Sequence, residues 1–329
     1  MLLFKNLNEP SFRAKQVHEW IWQKGCTSFD EMTNLPKTLR EKLKQEFTFE
    51  EVHIDLVQKS TDGTIKCRFK LHDGNFIEGV LIPTDDRITA CVSSQVGCSL
   101  SCTFCATGFL KRMRNLNPEE IFDQIILINQ LGLEHFNRKL TNIVFMGMGE
   151  PLLNYNNVKE SINRVTSPEG LNMSPRRITV STAGISKMIR KLGDEKVRFN
   201  LALSLHASNN EKRSKLMPIN ESNPLEDLAE ALNHFTEKTG SMVTLEYCVI
   251  ENENDYMEDA EELAEFANQI FSKVNLIEYN PIEFANYQNA SRNRIHKFSE
   301  KLSALGVNNS IRHSRGKDID AACGQLANK

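Results

Sequence analysis

Near the start of the chain apolar residues recur at helical spacing. In "FRAKQVHEWIWQKG" they are Val17, Trp20 and Ile21, with Gly25 as a stop, and in "LPKTLREKLKQEF" they are Leu39 and Leu43. The pattern predicts a helical unit over residues 1–50. The period then changes to two. "VHIDLVQKS", "TIKCRFKLH" and "NFIEGVLIP" are separated by Asp62-Gly63 and Asp73-Gly74, dipeptides that supply positive φ in hairpin turns, and a three-stranded antiparallel extension is expected over 51–86.

From Arg87 onward apolar runs alternate with amphipathic stretches. "ITACVSS", "TNIVFMG", "RITVST", "RFNLALSL", "MVTLEYCVI" and "VNLIEYN" read as six strands, most of them followed by a helix. Asn117-Pro118 with Glu120, and Asn223-Pro224 with Glu226, each place a cap, a proline and a capping-box acid in order. Gly132, Gly240 and Gly306 stand where helices should stop. The fold class is α/β: a parallel sheet covered by helices, either doubly wound or a partial barrel of six strands, over 87–318, with a mobile tail at 319–329.

Charge narrows the partners. Forty Lys plus Arg against forty-three Asp plus Glu leave a formal charge of −3, so no global field draws the chain to a polyanion and any nucleic-acid contact must be local. Candidate basic clusters are Lys111 to Arg114, Arg176 with Arg177, Lys212 with Arg213 and Lys215, Arg292 with Arg294 and Lys297, and Arg312 with Arg315 and Lys317. A solvated helix face is the plain alternative for any one of them. No signal peptide or membrane span is visible, and a cytoplasmic location is expected.

Eight cysteines are present, and three fall within "GCSLSCTFCATG" as Cys98, Cys102 and Cys105. A structural zinc site takes four protein ligands; three thiolates can instead hold an iron–sulfur cluster with one iron open to a small molecule. Zinc with a distant fourth ligand, His72 or Cys67, is the competing reading. The loop follows the first parallel strand, at the carboxyl end where such folds gather their active sites. After the second strand, "GMGEP" offers unobstructed backbone and one carboxylate, suited to a cationic amino group.

The C-x3-C-x2-C loop with Phe104 resembles the radical S-adenosylmethionine superfamily. With "FRAKQVHEWIWQKG", "VFMGMGEPLLNY", "RRITVSTAGI", "LALSLHA" and "GKDIDAACGQL" the chain is similar, over residues 12–326, to the bacterial dual-specificity RNA adenine-C2 methyltransferases of 23S rRNA and tRNA. The resemblance implies a partial (β/α)6 radical-SAM barrel and a [4Fe-4S] cluster on Cys98, Cys102 and Cys105. It implies S-adenosyl-L-methionine as both methyl donor and radical source, held by Gly149, Glu150, Ser181, Ser204, Leu205, His206 and Asn280. It makes Cys323 the residue methylated on sulfur, whose methylene radical adds to adenine C2. Cys91 then attacks the adduct, which leaves a Cys91–Cys323 disulfide to be reduced.

Such a route is needed because adenine C2 has no lone pair with which to take a methyl cation. Glu78 matches the family's base; Phe76 and Val80 on its face suggest an apolar setting that suits a carboxyl to accept a proton near neutrality. The resemblance further implies an electron donor such as a flavodoxin or ferredoxin, and a monomer is expected. Structural alternatives are turn chemistry for the serines and Asn280, core packing for His206 and Cys91, and a water-facing edge acid for Glu78. Cys26, Cys67 and Cys248 are read as core. The competing functions are an adenine-C8 methyltransferase and a non-catalytic cysteine-cluster RNA-binding module.

Overall fold

The structure is a computed structural model; it describes Phe4 and residues 9–26, 28–49 and 52–329. Two short helices, α1 (Ser11–Trp22) and α2 (Lys37–Glu46), lie near the start. With the intervening loop they bury a separate small core of Phe4, Cys26, Phe29, Met32, Leu35, Leu39 and Leu43. Trp22 ties this unit to the rest, its ring edge-on to Phe122 at 5.1 Å and under the Arg164 guanidinium at 4.1 Å.

The remaining chain builds one ten-stranded sheet. β1 (His53–Lys59), β2 (Ile65–Lys70) and β3 (Phe76–Pro83) form the antiparallel meander, turning at Gly63 and Gly74 with φ of 87° and 81°. β3 pairs antiparallel with β4 (Ile88–Cys91), so the meander continues the parallel sheet directly, with Val80 opposite Cys91. A separate two-stranded pair, β5 (Gln95–Val96) with β6 (Arg114–Asn115), clasps the base of the cysteine loop.

From β4 the strands run parallel: β7 (Asn142–Phe145), β8 (Ile178–Thr182), β9 (Asn200–Ser204), β10 (Val243–Val249) and β11 (Ser272–Glu278). These are the six strands read from the sequence. A seventh parallel strand, β12 (Asn309–Arg312), follows on the edge. Helices α3 (Pro118–Phe136), α4 (Tyr155–Thr166), α5 (Ser186–Asp194), α6 (Asn210–Leu216), α7 (Leu225–Thr239), α8 (Met257–Asn268) and α9 (Arg292–Ala304) fall between the strands. Their apolar faces close one large core with the sheet.

The start of α3 is the one expected: Pro118 opens it, and Glu120 accepts the Asn117 N–H at 2.8 Å. Two other expectations are corrected. Gly132 does not stop α3; it lies inside the helix, where a Cβ would stand 2.9 Å from the Arg138 carbonyl, and the helix ends at Asn137 in the left-handed region. Asn223 does not cap α7, because its carboxamide oxygen is taken by the Ser186 N–H at 2.9 Å and Glu226 instead accepts from Asn210.

The segment after β12 is not a mobile tail. It returns to the β1–β2 turn, where Asp62 accepts the Gly316 N–H at 2.9 Å and Asp318 accepts the Ser60 hydroxyl at 2.6 Å. Ala321, Ala322 and Leu326 are then buried against the barrel. Side-chain anchors and apolar packing outweigh the tendency of a terminal segment to fray.

Candidate active site

The cysteine loop begins at Gly97 with φ +72°, where a Cβ would stand 2.3 Å from the Lys111 carbonyl oxygen. It closes at Gly108, whose Cβ would stand 2.6 Å from the Cys102 carbonyl oxygen, so both ends require glycine for a close pass of backbone on backbone. Within it the Cys105 N–H donates to the Cys102 carbonyl at 3.3 Å and the Gly108 N–H to that of Cys105 at 2.9 Å. Cys98, Cys102 and Cys105 all face one cavity of about 160 Å³ at the carboxyl ends of the parallel strands. All three thiols are pushed up by burial, Cys98 to about 11. A positive centre would reverse this by stabilising the thiolates.

Among the described residues no three His, Cys, Asp or Glu side chains converge closely enough to hold a single metal ion. A tetrahedral zinc site demands such convergence, whereas a polynuclear cluster, whose irons stand apart, does not. His72 pairs with Glu120 at 3.3 Å, Cys67 is sealed in β2, and neither lines the cavity. Neither His72 nor Cys67 is therefore placed to complete a zinc site with the three cysteines.

Opposite the cysteines the same cavity is walled by Gly149, Glu150, Ser181, Ser204 and His206. Gly149 has φ +94°, and a Cβ there would overlap Gln95 at 2.5 Å. Buried Glu150 accepts the N–H groups of Ala183 at 2.7 Å and Leu152 at 3.0 Å; burial pushes its carboxyl up, and these bonds oppose the shift. His206 also has positive φ, 57°, and its Nδ1 accepts the Cys248 N–H at 3.0 Å, which leaves the ring proton on Nε2. Burial, and secondarily the charge of Arg213, bring it down to about 3, so the imidazole is neutral.

Leu205 and Asn280 do not line this cavity. Leu205 is fully buried behind it, and its backbone carbonyl accepts from Arg213 at 3.1 Å. Asn280 donates to the Cys323 carbonyl at 3.3 Å and keeps a buried carboxamide oxygen without a partner. Buried polar atoms are rarely left so.

The tail crosses the cavity mouth. Gly324 accepts the Ala106 N–H at 2.7 Å and Leu326 the Thr107 hydroxyl at 2.7 Å, which fastens the segment to the cysteine loop. Cys323 thereby faces both this cavity and a second one of about 420 Å³, where Cys91 forms part of the wall. Cys323 is accessible from the cavities although it lies deep in the molecule; burial, with the nearby Glu246 charge, pushes its thiol up to about 11. Cys91 is pushed up by burial and then by Cys323. Both are free thiols.

Glu78 differs from expectation. It is fully buried in an ionic setting rather than an apolar one: Lys66 Nζ lies at 3.4 Å, and the carboxylate accepts the N–H groups of Ala327 at 2.8 Å and Lys329 at 3.1 Å. The Cys67 and Cys26 side chains are core, as read, but Cys248 also reaches the smaller cavity. Several basic residues prove structural. Arg114 binds Glu120 and Asp73, Arg294 pairs with Asp255, Lys317 with Glu278, and Arg213 is wholly buried.

Sequence reading missed Glu246, which lines both cavities and accepts from Asn275 at 2.9 Å, and also Arg87 and Lys273, which join Arg312 and Arg315 along the larger one. A charge midway through the apolar run "MVTLEYCVI" was the available signal for Glu246.

A parallel partial barrel with a three-cysteine loop on its first strand is the architecture of radical SAM enzymes, and residues 92–267 match the Radical SAM superfamily. Residues 2–49 match the ribosomal RNA large subunit methyltransferase N-terminal domain. A probable dual-specificity RNA methyltransferase RlmN of Cytophaga hutchinsonii is 58% identical, over 98% of this chain and 88% of the relative. That of Christiangramia forsetii is 55% identical, over 98% and 91%. The crystal structure of a radical SAM methyltransferase from Sphaerobacter thermophilus superposes with a TM-score of 0.95 at 40% identity, covering 99% of this chain and 96% of that one. The chain belongs to the RlmN family of dual-specificity RNA methyltransferases.

Proposed function

We propose that this enzyme methylates C2 of adenine in 23S rRNA and in tRNAs, with Cys323 carrying the methyl group and Cys91 releasing the product. One observation carries the reading: the tail holds Cys323 between the cavity lined by the three cysteines and the cavity that contains Cys91. Cys98, Cys102 and Cys105 would hold a [4Fe-4S] cluster, which with S-adenosyl-L-methionine supplies methyl transfer and hydrogen-atom abstraction when bound. Gly149, Glu150, Ser181, Ser204 and His206 wall the space for that cofactor; Leu205 supports it from behind, and the unpartnered oxygen of Asn280 is available to a ligand donor.

Cys323 accepts a methyl group as a thiolate nucleophile. Its raised thiol is inert at neutral pH until a cationic donor lies against it, which restricts methylation to the loaded site. Cys91, at the end of β4 and on the wall of the cavity that Cys323 also lines, attacks the Cys323 sulfur of the adduct, so that the S–S bond forms as the bond from that sulfur to the methylene carbon breaks. Glu78 is the proton acceptor in this reading; release of residues 327–329 would leave Lys66 as its remaining partner.

The target adenine leaves its stack to reach the lumen. Arg87, Lys273, Arg312 and Arg315 offer phosphate contacts on the larger cavity's wall, and Lys111, Arg112, Arg176 and Arg177 are exposed cations elsewhere on the surface. The helical unit over 1–50, the extension over 51–86, the barrel over 87–318 and the tail at 319–329 divide the work as grip, base, chemistry and carrier. A flavodoxin or ferredoxin supplies electrons to a cytoplasmic monomer; no described helix is long and apolar enough to cross a membrane.

Cys91→Ala tests the reading. The variant should methylate Cys323, add to RNA and stall, giving a slow band on a denaturing gel that ribonuclease collapses. Cys323→Ala should keep its iron and give neither band nor modified RNA. Normal turnover by Cys91→Ala with 2-methyladenosine among the nucleosides would remove the resolving role.

A further inference from the structure

Arg213 stands in α6 between half-buried Lys212 and exposed Lys215, yet its side chain is 0% exposed. Nε donates to the Leu205 carbonyl at 3.1 Å, Nη1 to Asn220 Oδ1 at 2.8 Å, and Nη2 to the carbonyls of Ala183 at 2.6 Å and Ser204 at 3.2 Å. Every one of these acceptors is neutral. Among the described residues, Arg213 has no carboxylate within ion-pair distance. A cation taken out of water with only dipoles around it is strongly disfavoured, and proteins that keep one supply an anion.

The place of that anion is indicated by the surroundings. Ala183 and Ser204, whose carbonyls Arg213 grips, line the small cavity beside Cys98, Cys102 and Cys105. The cysteine loop is tied to the same helix, since the Thr103 N–H donates to the Leu216 carbonyl at 3.0 Å and the Arg213 carbonyl accepts the Met217 N–H at 2.7 Å. Gly184, the turn after β8, leaves room for the guanidinium, since a Cβ there would lie 3.2 Å from Nη2.

We propose that Arg213 is a positioning residue that serves as the fixed counter-charge of the thiolate-bound cluster, holding its reduction potential up from behind the cavity wall. The proposal rests on the cluster reading above. A positive charge in a low-dielectric wall favours the more negative of two redox states, so its loss makes the cluster harder to reduce. A role in gripping carbonyls alone would not depend on net charge.

The test uses the full chain, reconstituted anaerobically with iron and sulfide, and reads iron content and midpoint potential by a redox titration followed by electron paramagnetic resonance. Asn220→Asp puts a carboxylate of the same shape on Nη1; the Ser214 hydroxyl, now 2.9 Å from Asn220 Nδ2, can turn to donate to it, while the Asn210 carbonyl and carboxamide oxygens at 3.2 and 3.1 Å lose a donor, so iron content is read beside the potential. The potential should move negative in Asn220→Asp, move further in Arg213→Gln, and stay near wild type in Arg213→Lys. Unchanged potentials in Asn220→Asp at full iron content would overturn the proposal, whether or not Arg213→Gln folds. A wild-type chain that retains no iron would overturn the cluster reading itself, and this inference with it.

Discussion

Three thiols with no spare ligand make each of them indispensable: Cys98→Ala, Cys102→Ala and Cys105→Ala should each lose bound iron and RNA methylation, while Cys26→Ala, in the separate amino-terminal core, should keep both. Iron analysis after anaerobic purification decides it. The buried thiols also set an alkaline limit. Cys26, Cys98 and Cys323 rise from an ordinary 9.0 to about 11 in the folded iron-free chain. The folded state therefore holds these protons more tightly than the unfolded one. That advantage is whole below pH 9 and is lost as pH climbs through 11, so the melting temperature of the iron-free chain should fall across this window. Replacing Cys26 by Ala should flatten part of the fall. The meeting of Cys98, Cys102 and Cys105 at one cavity was legible because they lie within a single short loop. The setting of Glu78 was not, since Lys66 lies on a neighbouring strand and the two N–H donors come from a segment some 250 residues away, a separation the hydrogen bonds record as 249 and 251.

Elements were legible where their signals are local. The α3 capping contact joins groups three residues apart, the Asn117 backbone N–H and the Glu120 carboxylate. Glu120 does more than cap: it takes Arg114 through both oxygens at 2.8 Å, so Glu120→Ala leaves that guanidinium with Asp73 alone and should cost about 2 kcal/mol in urea unfolding. The second predicted box at Asn223 fails because a tertiary partner, Ser186, claims the same oxygen. Strand β12 escaped notice for a different reason. In "NSIR" only Ile311 is apolar, since an edge strand with one wet face needs little hydrophobic pattern. The parallel strands announced themselves because both their faces are covered and read as continuous apolar runs.

At the scale of the molecule the charge is balanced, so RNA binding should depend on a handful of phosphate contacts, with affinity falling as salt rises by about 0.7 log units per contact and decade for single strands. A salt-independent affinity would remove the basic wall from the reading. The return of the chain from β12 to the β1–β2 turn predicts a further result: Asp62→Ala frees Gly316, and hydrogen exchange should speed through residues 316–329 while the parallel strands stay protected. The same contact joins positions 254 residues apart. Chains are synthesised from the amino end, and folding units take shape as they emerge. The cysteine loop and all seven parallel strands are therefore made before Cys323, the carrier in the proposed function, and that residue is seated only once the returning segment reaches a turn made long before it. Under the proposed function, a polypeptide cut short at the ribosome could assemble the cysteine loop and its barrel and own nothing to put a methyl group on, so the order of manufacture itself separates radical chemistry from its cargo.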